Sequence, residues 1–292
     1  MKNIQNLVAL SLCAVVVTWS APAQAQFNLG GFLEKAKKIT EVAKDVAEAN
    51  KEFSEEEEAE IGDVASASIL GGLPPHPDAN LQRYVNRVGL WVAVQSSRPN
   101  LNWSFTVLDT QLINAFAAPG GSIFVSAGLI KRMRSEAELA SVLGHEIGHV
   151  VQKHHLNATR AEAKSRALKG IGGAILEHSK GSALGKEALG KLGNITVSVM
   201  GKSLDKSDEY EADRIGIILA ARAGYDAYGL VSVLQKLATV SQADSGLSLM
   251  MSTHPTAADR IEEIEKFAGV LDRFSTQPQV ESRFQRATAS LK

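Results

Sequence analysis

Five residues, His145-Glu146-Ile147-Gly148-His149, constrain this 292-residue chain more than any other stretch. On an α-helix, residues four apart share a face, so His145 and His149 can grip one metal ion together. Glu146 lies one residue round from His145, close enough to polarise a water on the metal without ligating the metal itself. The H-E-x-x-H spacing is a signature of helix-borne zinc sites. The bland alternative is a helix whose histidines are only solvated or hydrogen-bonded. Ser135 can cap the helix and Glu138 can complete a capping box. Leu139, Val142, Leu143, Ile147, Val150 and Val151 supply its buried surface. Gly144 and Gly148 each cost roughly 1 kcal/mol against Ala inside a helix, and close approach of another backbone is the expected compensation.

The N-terminus has the form of an export signal. Lys2 supplies the positive end, Leu7 to Trp19 a short apolar core, and Ala23-Gln24-Ala25 a cleavage site. Residues 1–25 are therefore expected to leave as a signal peptide, taking Cys13, the only cysteine, with them. Leu12 is too bulky for Cys13 to be an acylation site. A mature chain without thiols can offer zinc only His and carboxylate as strong ligands. With 45% hydrophobic composition it has enough apolar material for one large domain without disulfides. The formal net charge of −1 gives no sign of a nucleic-acid surface or a polybasic membrane anchor. No transmembrane helix is expected in the mature chain.

Residues 26–53 are expected to form an amphipathic helical arm for packing or tethering, followed by Ser54 as the N-cap of a new helix. The acids Glu55 to Glu58 fill its first turn, and they are expected to be solvated there. Gly71 to Pro77 is a breaker cluster, with His76 on a loop surface, and residues 80–94 return to helical spacing. Trp103 to Val107 alternates as a strand. Asn114 to Ala117 and Ile123 to Ser126 flank Pro119-Gly120-Gly121, which marks a tight turn between extended segments. The expected fold class is α+β, mainly α, with a small sheet before the metal helix. Residues 156–206 are expected to be Gly-interrupted helices, with His178 facing solvent and His155 on the surface at the helix end.

Two histidines hold zinc weakly, so a third protein ligand must come from elsewhere. The best candidate is Glu209, with Asp213 one turn on, on a helix expected to end at Gly224 after Arg222. Asp213 could accept a hydrogen bond from a ligand imidazole and set its tautomer. On spacing alone, a solvated acidic face remains the competing reading. Glu211 points to another face, where a structural role is expected.

His145-Glu146-x-x-His149 followed by Glu209-x-x-x-Asp213 resembles the zinc metallopeptidases of the HtpX, Oma and CaaX prenyl-endopeptidase kind, peptidase family forty-eight. The likeness extends over roughly residues 54–270. It includes Asn114-Ala115-Phe116, Pro119-Gly120-Gly121, Gly128-Leu129, His154, Ala212 to Gly216, Thr253-His254-Pro255 and Asp259-Arg260-Ile261. One departure is Asp205-Lys206, where the family often has Ser-Arg; Lys206 keeps the charge without the planar fork.

The resemblance implies a gluzincin-type metallopeptidase domain over 54–272, with 273–292 as a C-terminal tail. It also implies one Zn2+ per chain on His145, His149 and Glu209, with Glu146 as the proton acceptor. Asn114, Ala115 and Phe116 are expected to form an edge strand that pairs with an extended substrate. His254 carries two open roles besides a plain loop position: steadying the oxyanion, or closing the open metal position as a latency ligand. The expected function is a periplasmic endopeptidase acting on unfolded or misassembled outer-membrane or periplasmic proteins, with peripheral association at the outer membrane left open. The competing functional reading is a zinc-bound chaperone or assembly factor on the same fold.

Overall fold

The computed structural model describes residues 52–161, 204–240 and 254–291. The signal peptide, all but the last two residues of the 26–53 arm, and His178 with residues 162–203 lie outside the described residues. Everything described belongs to one unit, Val42–Lys292.

Helix α1 (Glu55–Gly72) starts on a full capping box. Ser54 Oγ accepts from the Glu57 amide at 3.2 Å, and the Glu57 carboxylate accepts from the Ser54 amide at 2.9 Å. The expectation of four solvated acids fails at the fourth. Glu58 is buried, because it falls on the face that packs against the β2–β3 turn. Arg98 clasps its two oxygens at 2.8 and 3.0 Å, Lys153 Nζ lies at 3.0 Å, and the Gly120 amide donates to it. Helix α2 (Ala79–Ala93) follows, capped by Asp78 Oδ1.

The sheet has three strands, β1 (Ser104–Leu108), β2 (Ala115–Ala118) and β3 (Ser122–Ser126), in the order β1-β3-β2. β2 and β3 are the expected antiparallel pair around Pro119-Gly120-Gly121, in the register Ala115↔Val125 and Ala117↔Ile123. β1 joins β3 in parallel on its other side. The period of two decides which residues face which layer. Phe105, Val107, Ile123 and Val125 enter the main helical core. Leu108, Phe124 and Ala118 pack beneath α1 with Ala65. β2 thereby lies at an edge of the sheet, next to the metal helix.

A single turn, α3 (Ala127–Ile130), leads to the metal helix α4 (Glu136–Val151). Ser135 Oγ caps α4 by accepting from the Glu138 amide, as expected, but the capping box is only half formed. Lys236 Nζ, 2.6 Å from Glu138 Oε2, holds that carboxylate, which accepts from the Arg134 amide and not from Ser135. A charge-assisted tertiary contact outcompetes the local one. After Lys153, residues 154–161 are helical again, here α5.

Helix α6 (Lys206–Arg222) crosses α4 at its glycines. A Cβ on Gly144 would lie 2.8 Å from Gly216 O, one on Gly148 3.1 Å from Ala212 Cα, and one on Gly216 2.5 Å from His145 N. This is the close backbone approach expected from the two glycines of α4. α6 ends as expected: Gly224 has φ +89°, and the Gly224 and Tyr225 amides bond back to Ala221 and Ala220. Helices α7 (Gly229–Ala238), α8 (Ala257–Glu265), α9 (Ala268–Leu271) and α10 (Glu281–Ala287) complete the body. In the stretch 273–292, Phe284 and Leu291 enter the core, and Arg283 pairs with the buried Glu136 at the start of α4. Tyr84 and Tyr225 hydroxyls donate to the same carboxylate at 2.8 and 2.7 Å, so the metal helix is anchored from three sides.

Candidate metal centre

α4 turns His145 and His149 inward on one face, and the α4–α6 glycine seam brings Glu209 up to them. His145 Nε2 and His149 Nε2 are 3.0 Å apart. Glu209 Oε2 is 3.7 Å from His145 Nε2, and Glu209 Oε1 is 3.6 Å from His149 Nε2. Donors each about 2.1 Å from a tetrahedrally held zinc stand roughly 3.4 Å apart, so these separations suit one ion. Both Glu209 oxygens are buried and accept no hydrogen bond from the described residues, an arrangement that a cation would satisfy. The donor set of two imidazoles and one carboxylate is also the one zinc takes in catalytic sites. The residues fit the metal.

The loop before α8 adds His254, whose Nε2 is 3.7 Å from Glu209 Oε2. One ligand atom from each of His145, His149, Glu209 and His254 can be chosen with all four within 4.8 Å of one another. The plain loop reading of His254 is therefore set aside: it belongs to the cluster.

Glu146 is buried between two small cavities of about 30 and 40 Å³. The first is lined by His149, Glu209 and His254 together with Ala115 and Phe116 of β2 and Asn114, which lies just before the strand and not in it as expected. The second runs from Glu146 and His145 into the aliphatic surface of α7, at Leu230, Val233 and Leu234. Asn114 borders both, and its buried Nδ2 has no hydrogen-bond partner among the described residues.

Burial dominates the electrostatics. It pushes Glu146 up to about 8, against the pull of Arg260, and Glu209 likewise up to about 8. A dication at the shared point favours the ionised form of both. Burial holds both ligand imidazoles below the ordinary histidine value, His149 far below it, which keeps them neutral and able to bind metal. For Asp213 burial alone would raise the pKa, but Arg260 and the His145 ring more than offset it and hold the carboxyl below the usual range.

Asp213 stands where its spacing suggested, behind His145, with Oδ1 2.8 Å from His145 Nδ1. Its partner was not foreseen. Arg260 of α8 is buried, donates through Nε to Asp213 Oδ2 at 2.8 Å and through Nη2 to Oδ1. The available signal was an Arg one turn before the buried Ile264 on an otherwise apolar stripe. Lys206, at the position of the family's Arg, instead faces outward and pairs with Asp259 at 3.0 Å. His154 is buried behind His149, with the two Nδ1 atoms 2.9 Å apart. His155 is not the surface residue expected; it is half-buried and lines the first cavity, its ring 5.6 Å from that of His149. The turn at Lys153 redirects the chain so that α5 folds back over the site.

A family model described as Peptidase family M48 matches residues 76–268. The beta-barrel assembly-enhancing protease of Escherichia coli (strain K12) is 29% identical over 262 residues, which cover 89% of this chain and 51% of that protein. The putative beta-barrel assembly-enhancing protease of Vibrio cholerae is 29% identical over 237 residues, 80% of this chain and 48% of its own length. The mitochondrial metalloendopeptidase OMA1 of Arabidopsis thaliana is 33% identical over 170 residues, 58% and 32% respectively. The chain spans about half the length of the first two of these relatives.

Proposed function

The chain belongs to peptidase family M48 and is a metallopeptidase; on that footing we propose that it is a zinc-dependent endopeptidase of the periplasm that cleaves misfolded or misassembled envelope proteins. One observation carries the reading: His145, His149 and the unsatisfied Glu209 carboxylate converge on one point beside the buried Glu146. His145, His149 and Glu209 would hold zinc. When bound, zinc supplies Lewis acidity, acidifying water and polarising a carbonyl.

The protein's own groups do the rest. Glu146 accepts a proton from the attacking water at its carboxylate and returns it to the leaving amine nitrogen. The β2 edge offers backbone groups to an extended substrate, and Asn114, which lines both cavities and whose Nδ2 has no partner among the described residues, would supply a donor for a substrate carbonyl. Such pairing reads little sequence, which suits unfolded clients. No described helix is long and apolar enough to cross a membrane, and export would rest on the 1–25 signal. The name of the bacterial relatives, which speaks of β-barrel assembly, supports outer-membrane proteins as the clients.

His254 we read as a latch. Its Nε2 faces the same point as the three ligands, so in the resting protein it blocks the approach of a carbonyl. Replacement by Ala is then expected to raise basal cleavage, whereas an oxyanion-steadying role predicts a fall.

The central test compares zinc content and casein cleavage in the wild type and Glu146→Gln. Both proteins should bind metal and only the first should cleave; equal cleavage would overturn the mechanism. Envelope function retained by Glu146→Gln would instead favour the chaperone. Export is checked by the mass of the protein recovered from the periplasm, which should begin at Gln26.

A further inference from the structure

We propose that His154 is a positioning residue that fixes the tautomer and ring orientation of His149, and that Asp208 and Glu211 fix His154 in turn. The proposal rests on the reading of His149 as a metal ligand. It adds an outer chain to that ligand, running from the metal point to the surface.

Only one proton can lie between the two Nδ1 atoms that face each other at 2.9 Å, so one ring donates and the other accepts. The inner end decides which. His149 Nε2 faces His145 Nε2 and Glu209 Oε1, where a metal ligand must present a lone pair. The proton of His149 therefore sits on Nδ1 and is donated to His154 Nδ1. His154 must then carry its own proton on Nε2.

The outer end leads independently to the same assignment. His154 Nε2 is 3.6 Å from Glu211 Oε2 and 4.0 Å from Asp208 Oδ1. At these separations an N–H near two carboxylates is attracted electrostatically, while a lone pair there would face negative charge. Gln152 donates to the other oxygen of Glu211, which holds that carboxylate toward the site. Two constraints at opposite ends of the chain thus select one tautomer for each ring.

The backbone is bent to deliver this contact. Lys153, between the metal helix and α5, has φ +56°, a left-handed conformation uncommon for a residue with a Cβ. Its amide bonds back to Val150 and its carbonyl accepts from Asn157, so one helix is closed and the next opened at that residue. Its side chain is tied to the buried Glu58. The sharp turn brings His154 back over His149, five residues behind it in sequence.

The experiment uses the full mature protein. Long-range proton–nitrogen correlation of the histidine rings should show His149 protonated on Nδ1 and His154 on Nε2; a His154 ring protonated on Nδ1 overturns the proposal. Zinc affinity, measured by competition with a chromophoric chelator, should weaken about 10–100-fold in His154→Phe. His154→Asn, whose side-chain oxygen can take the place of the Nδ1 acceptor, should recover most of it. Unchanged affinity in His154→Phe overturns the proposal, as does a His154→Asn variant as weak as His154→Phe while natively folded by circular dichroism. His149→Ala separates the two readings: zinc retained there would sink the metal assignment itself.

Discussion

His145 is backed by a buried ion pair, Asp213 with Arg260, whereas His149 is backed by a second imidazole whose far nitrogen looks toward the partly exposed Asp208 and Glu211. Both backings leave Nε2 free for metal, yet their physics differs. The first places a full negative and a full positive charge in the interior, where each is tolerable only because of the other. The second puts only imidazole rings inside and keeps its carboxylates near water, where they are screened. One ligand is thus locked to the fold, and the other is tethered to the surface.

The comparison is broken most directly at Arg260. Arg260→Leu leaves the Asp213 carboxylate buried without its partner, and a cost of about 3–5 kcal/mol in unfolding free energy is expected from denaturant melts of the metal-free protein. A loss below about 1 kcal/mol would mean that the pair is not what locks His145. Next is the pH dependence of that lock. Asp213 is held below the ordinary carboxylate value, so its stabilising contribution is fully present above the unfolded value of about 3.9 and is lost as pH falls through the lower folded one. The stability gap between wild type and Asp213→Asn should therefore be constant above about pH 5 and close at lower pH. A gap that closes between pH 6 and 8 would assign the effect to the histidines.

The same contrast marks what could be read in advance. α4, its Ser135 cap and the need for a backbone against Gly144 and Gly148 follow from spacings of three and four, whereas spacing made Glu209 and Asp213 only candidates and the family resemblance singled them out. Local geometry carries that information whatever the rest of the chain does. Arg260 sits on an apolar stripe that hints at burial, but its partner is not legible locally, since Asp213 lies 47 residues earlier. Glu138 shows the converse. Its capping-box signature is intact, but Lys236, 98 residues on, holds the carboxylate. Glu58 reads as a helix-start acid like its three neighbours, and only the approach of Arg98 and Lys153 singles it out. His154 belongs to the family pattern, but its contact depends on a left-handed Lys153 that no propensity predicts.

Between the large effects and the small ones stands the seam that both ligands share. Gly216→Ala would drive a Cβ to within 2.5 Å of the His145 amide, and backbone cannot yield as a side chain can. Overpacking of about 1–3 kcal/mol is expected, read as a lower melting temperature. Because the shift separates Glu209 from both histidines, zinc affinity should fall as well. Lower stability with unchanged affinity would show that α6 can move without moving Glu209.

The smallest effect is expected at the surface end of the His149 chain, and its form is more telling than its size. Asp208 and Glu211 are partly exposed, so each is worth only a fraction of a kcal/mol through solvent. Glu211→Gln keeps the shape and an acceptor oxygen while removing the charge. It should weaken zinc binding a few-fold at low ionic strength, and less at 1 M salt, where the screening length falls to about 3 Å. Arg260→Leu should show no such salt relief, since its pair is sealed from the solvent. If chelator competition finds the two variants equally sensitive to salt, the division into a locked ligand and a tethered one does not hold.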